Sequence, residues 1–189
     1  MPAPPQMHET ETGRTVLGID PGLRITGYGV IRCLPGTLTH LQHGAIRTRS
    51  TDRPGRLVEI HDSIRALLDA WSVDEVALEK QFVALNASSA FVIGEARAAA
   101  MLAVAQRGIP IYEYTPAEVK QAVTSYGRSS KAQIQEMVRL QFALSAVPQP
   151  ADAADGLAIA ICHAARRALP VRDQYPASVG VEQRIRRRS

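Results

Sequence analysis

Val16-Leu17-Gly18-Ile19-Asp20-Pro21-Gly22 is the stretch that decides the fold. A short continuous apolar run bounded by turn residues suits a buried strand. Pro21 presets one turn dihedral and Gly22 tolerates positive φ, so the strand ends on the carboxylate of Asp20. Residues 25 to 33 supply a partner strand, and a third is expected near 43 to 48. Further along, Val76-Ala77-Leu78-Glu79 repeats the same device, a short apolar run finished by an acid.

Between these strands, Leu57, Ile60, Ile64, Leu67, Leu68 and Trp71 follow helical spacing and should face a core. A strand near Ile109 to Tyr114, helices from about Pro116 and Ser130, and a helix from Asp152 to Arg167 follow. Three sequential strands and then strands alternating with helices imply an α/β domain with a five-stranded mixed sheet flanked by helices. A right-handed crossover would align the first and fourth strands in parallel, bringing Asp20 and Glu79 to the same end.

Asp152-Ala153-Ala154-Asp155 adds two more acids at the head of the last helix, where residues i and i+3 share a face. Each acid alone has a blander reading. Asp152 with Asp155 could form a capping box, Asp20 could open a turn, and Glu79 could be an exposed strand terminus. Taken together, four acids at the ends of three elements suggest a magnesium site. His163 lies eight residues beyond Asp155, about 12 Å along a helix, too far to share that shell, and reads as structural.

The segment Ser88 to Gln106 is apolar on almost every face, interrupted mainly by Glu95 and Arg97. A helix covered only by its own sheet would keep a polar outer stripe. This one is therefore either wholly internal or packed against a second subunit through small side chains; the second reading is preferred.

The chain has 189 residues, 46% of them hydrophobic, which fits one domain with a proper core. Its 22 basic and 18 acidic residues leave +4, and the pI is near 9.4, a balance suited to a polyanionic partner. No run approaches the roughly 20 apolar residues that span a bilayer, and no charged-then-apolar leader is visible, so a cytoplasmic protein is expected. Cys33 and Cys162 lack metal-site spacing and read as small buried hydrophobes. We divide the chain into a disordered extension over 1–14, a single α/β domain over 15–168 and a flexible basic tail over 169–189.

Leu17 through Gly22, Thr26-Gly27-Tyr28-Gly29-Val30, Glu79-Lys80-Gln81-Phe82, Tyr114 through Lys120, and Asp152 through Asp155 occur in an order and spacing that closely resemble the RuvC family of Holliday-junction resolvases. The resemblance covers roughly residues 15 to 168. It implies an RNase H-like fold, a homodimer, and magnesium-dependent paired nicking of opposed strands in a four-way DNA junction. It also implies that Asp20, Glu79, Asp152 and Asp155 are the metal-binding catalytic acids, with two Mg2+ ions per site and Mn2+ as a substitute. Phe82 matches an aromatic placed against junction bases, and Lys120 and Lys131 match lysines at the DNA. Lys80 and Leu85 depart from the family's usual residue types beside the glutamate, and Tyr126 and Arg128 are additions near the second lysine. Lys80 and Arg128 join the candidate DNA contacts. A branch-migration motor is the partner that the family suggests.

Oxygen-only ligands suit magnesium or manganese, and two metals can activate water, neutralise phosphate and stabilise the leaving oxygen together. Without the resemblance, Phe82 would be a core aromatic and the lysines solvated helix charges. Three other functions compete. The Gly18-Ile19-Asp20-Pro21-Gly22 loop also resembles the first phosphate loop of actin-like ATPases and sugar kinases, but those need a second lobe. A noncatalytic junction-binding protein could use the acids for folding. The smaller YqgF-type nucleases fit the Glu79 to Phe82 segment and the last helix less well.

Overall fold

The computed structural model describes residues 13–80, 87–124 and 129–167. Residues 1–12 of the expected extension, the tail 169–189, Phe82, Leu85, Tyr126 and Arg128 lie outside the described residues, whereas Arg14, placed in the extension by the sequence, is the first residue of β1. Five strands and five helices follow in the order β1 (Arg14–Asp20), β2 (Ile25–Leu34), β3 (Thr37–Arg47), α1 (Arg53–Trp71), β4 (Glu75–Glu79), α2 (Ala87–Ala105), β5 (Ile111–Tyr114), α3 (Pro116–Thr124), α4 (Lys131–Gln141) and α5 (Ala151–Arg167).

The strands form one mixed sheet in the order β3-β2-β1-β4-β5. β1 pairs antiparallel with β2, and β2 with β3, whereas β1–β4 and β4–β5 are parallel. The parallel register sets Ile19 opposite Leu78, so Asp20 and Glu79 finish neighbouring strands at the same edge of the sheet. β3 is longer than its sequence suggests, starting at Thr37 after a turn in which Gly36 takes φ 73°. It is an edge strand with mostly half-exposed residues, so its early part carries little of the apolar signal that marks a strand.

Alternation along the strands separates two cores. Leu17, Ile19, Val30, Val76 and Leu78 point to the face covered by α1 and α2, where Ile60, Ile64, Ala96 and Ala100 are fully buried. Val16, Ile31, Ala77, Tyr112 and Tyr114 point to the opposite face, covered by α5 with α3 and α4 behind it. Each fully buried aliphatic side chain contributes about 1.5 to 3 kcal/mol, which makes the central strands the rigid part of the molecule.

α2 is not wholly internal. It seats Ala96, Ala100, Ala103 and Val104 in the core but leaves Phe91 64% and Leu102 55% exposed. Leu102 lies beside Leu57, Val58, Ala98 and Ala99 in an apolar groove between α1 and α2. Of the two cysteines, Cys162 is buried and Cys33 half-buried, both free, and burial pushes both thiols up, to about 12 and about 11.

Candidate active site

α5 reaches the sheet through glycine. A Cβ on Gly27 would overlap the backbone carbonyl of Asp152, one on Gly18 that of Gly156, and one on Gly156 the backbone of Tyr28. Without side chains in between, helix backbone lies on strand backbone, which places the first turn of α5 over the ends of β1 and β2. The helix begins at Ala151, so Asp152 sits inside its first turn rather than ahead of it as a cap. Carboxylate oxygens of Asp20, Asp152 and Asp155 lie within 4.8 Å of one another.

Glu79 is the outer member. It stands with Asp20 and Asp155 on the wall of a cleft of about 340 Å³, whose other side is formed by α3 and α4 through Val119, Lys120, Lys131 and Ile134. The carbonyl of Glu79 accepts a hydrogen bond from Arg97 Nη1 at 2.7 Å, and the same guanidinium pairs with Glu113 on β5. Arg97, which interrupts the apolar face of α2, therefore fixes the end of β4. Nothing in the local sequence signals that contact across 18 residues.

The two lysines are delivered by helix starts of one kind. Ser130 and Gln133 bond each other's backbone amides in a capping box, which makes Lys131 the first residue of α4. Thr115 and Glu118 do the same at the head of α3, two residues before Lys120. Lys131 Nζ lies 2.8 Å from Asp155 Oδ2. Lys80 is exposed beyond β4; its backbone N–H donates to the Tyr114 carbonyl at 2.6 Å, and its side chain does not line the cleft.

The electrostatics follow from this crowding. Burial, then the charges of Glu79, Asp155 and Asp152, push the Asp20 carboxyl up to about 7, against a smaller opposing pull from Lys131. Burial and then Asp155 also raise Glu79, with Lys120 and Lys131 opposing. The bond to Asp155 raises Lys131. Acids held this close favour a cation, and one ammonium already stands among them. The donor set is oxygen only, which fits a hard divalent ion rather than zinc or copper.

A mixed sheet of this order, with acids ending its two central parallel strands and a covering helix adding two more, defines an RNase H-like nuclease that hydrolyses phosphodiester bonds. The family profile described as crossover junction endodeoxyribonuclease RuvC matches residues 16–163. A relative of that name from Rubrobacter xylanophilus is 46% identical over 156 residues, covering 82% of this chain and 87% of its own. Another from Chloroflexus aggregans is 48% identical over 149 residues, covering 78% and 91%. Thermus thermophilus RuvC, solved in complex with a Holliday junction substrate, superposes with a TM-score of 0.76 at 32% identity over 82% of this chain and 94% of its own. The yeast mitochondrial resolvase Ydc2 shares the fold at a TM-score of 0.60 and 14% identity. The chain belongs to the RuvC family of crossover junction endodeoxyribonucleases, and the family implies use of a divalent metal.

Proposed function

We propose that this protein resolves Holliday junctions by magnesium-dependent nicking of two opposed strands, with Asp20, Glu79, Asp152 and Asp155 holding the metal. The convergence of three carboxylates within 4.8 Å, with Glu79 on the adjoining wall, is the observation that carries this reading. When bound, magnesium ions would supply an activated water and neutralise charge on the scissile phosphate; manganese would substitute.

The residues themselves do the rest. Asp20, with a carboxyl near 7, changes protonation in the working pH range, so metal affinity should rise steeply as it ionises. Lys120 and Lys131 face the acids across the cleft, where a phosphodiester entering between α4 and α5 would meet them. They position phosphate and read no base. Lys131 must leave Asp155 to do so. Phe82, Lys80 and Arg128 are assigned to junction contacts, with Phe82 stacking on an opened base for about 1 to 3 kcal/mol.

Two-fold symmetry in the substrate calls for two sites. We assign the homodimer interface to the groove of Leu57, Val58, Ala98, Ala99 and Leu102, because it is apolar and lies on the helix that also exposes Phe91. A branch-migration motor is the partner we expect to deliver the junction. No described helix is long and apolar enough to cross a membrane; we assign the enzyme to the cytoplasm because its substrate is DNA. The experiment is cleavage of a labelled mobile four-way junction beside linear duplex, with and without magnesium. Symmetric nicks in the junction alone, and only with metal, support the reading; metal-free binding with no cleavage under any divalent ion favours a noncatalytic junction binder.

A further inference from the structure

We propose that the buried contact between Glu75 and His163 is a positioning device. It sets how far α5 sits along β4, and therefore how Asp152 and Asp155 stand relative to Asp20 and Glu79. The proposal rests on the assignment of the four acids as metal ligands.

Glu75 and Glu79 begin and end β4 and point to the same face of the sheet, the one that α5 covers. Four residues of strand separate them by about 13 Å. On α5, Asp155 and His163 are separated by eight residues, about 12 Å of helix. The two spans match and run in opposite directions. At one end Asp155 and Glu79 line the same cleft; at the other, His163 Nε2 lies 2.8 Å from Glu75 Oε2.

The far end is built as an anchor. His163 is fully buried and Glu75 is 6% exposed. Burial raises the Glu75 carboxyl, but bonds from His163 and Arg167 outweigh it and hold the group below its usual range. An ionised carboxylate only accepts, so His163 Nε2 donates to Glu75, and Nδ1 shares a 2.8 Å hydrogen bond with the Tyr114 hydroxyl. Burial raises the Tyr114 phenol and keeps it protonated. Arg167, also on α5, donates to the other Glu75 oxygen at 2.6 Å. Two residues of α5 thus grip one residue of β4.

At the near end the acids are half-buried and crowd one another, with Lys131 paired to Asp155. Gly18, Gly27 and Gly29 let the backbone of α5 approach the sheet closely, and Val16, Ile31 and Ala77 pack against the helix from the same face through non-directional apolar contacts. A buried charged group is a poor way to add stability, and its best-attested use is to fix register. Glu75 and His163 add a directional polar contact to that apolar packing, at the end of α5 away from the acids.

The test compares Glu75→Gln with Glu75→Met in the full-length protein without DNA, reading Mn2+ affinity from the EPR signal of the free ion. Gln keeps an oxygen that accepts from His163 and should bind Mn2+ within about twofold of the parent; Met keeps the volume, removes the acceptor and should lose about tenfold or more. Val138→Ala, a cavity in the same core, should lose stability with its Mn2+ affinity unchanged. If Glu75→Met does not fold, Tyr114→Phe, which removes only the hydroxyl bond to His163, replaces it with the same expected loss. Parent-like affinity in the Met or Phe variant, with Asp155→Asn deficient, overturns this proposal alone, as does a Val138→Ala loss as large as that of the Met variant. Parent-like affinity in Asp155→Asn overturns the metal assignment and this proposal with it.

Discussion

Asp20→Asn should make the metal-free protein more stable, and by an amount that depends on pH. The folded Asp20 carboxyl is raised from 3.8 to about 7, so above pH 7 the folded state carries an ionised group that it disfavours. A shift of this size corresponds to ~4 kcal/mol at pH 8, an upper figure because the amide is also buried. The sign follows from proton counting. Between the two pKa values the folded state binds more protons than the unfolded chain, so this group's contribution to stability falls as pH rises. The penalty is about 4 kcal/mol at pH 8, about 2 at pH 5 and under 1 at pH 4. Removing the carboxylate should therefore raise Tm in EDTA by roughly 5 to 15 °C at pH 8 and much less at pH 4. Magnesium should stabilise the parent and have little effect on the variant. A variant no more stable than the parent at pH 8, or shifted equally at both pH values, would refute the account of a repulsive, desolvated acid cluster.

Three further outcomes follow from the geometry. Gly27→Ala should lower stability by about 1 to 3 kcal/mol, because its Cβ meets the Asp152 backbone; calorimetry reads that loss, and junction cleavage should fall further than the unfolded fraction explains. Lys131→Met should leave the protein folded, weaken junction binding, reduce the salt dependence of binding by about one phosphate contact and lower cleavage, as read by fluorescence anisotropy across a salt series and by strand nicking. Leu102→Lys should shift the protein toward monomer in sedimentation without lowering Tm substantially, since Leu102 is 55% exposed in the single chain; bulky replacements at Ala98 or Ala99 test the same groove.

The convergence of Asp20 and Glu79 was legible because it depends on chain-level rules: short apolar runs make strands, and a right-handed crossover makes β1 and β4 parallel. The α5 acids were legible as a same-face pair, but their arrival at the sheet was not. That depends on Gly18, Gly27 and Gly156, whose spacing shows that something approaches closely without showing what. The capping boxes Thr115-Pro116-Ala117-Glu118 and Ser130-Lys131-Ala132-Gln133 are local sequence signals that could have fixed both helix starts, and with them the two lysines. Glu75 reads only as the polar start of a strand, and its burial depends on His163 at a separation of 88 residues. His163 itself is structural with respect to the metal shell, as its distance along α5 implies. Arg97 reads as a polar interruption of α2, yet it holds the end of β4.

The most direct test of the central claim is to replace Asp20, Glu79, Asp152 and Asp155 one at a time by the corresponding amide. Strand nicking and gel-shift binding are then measured on the same four-way junction. Nicking in magnesium should be abolished in each variant while metal-free junction binding is retained. Near-normal cleavage by any two of the four would contradict the assignment of these acids as the metal-holding catalytic set.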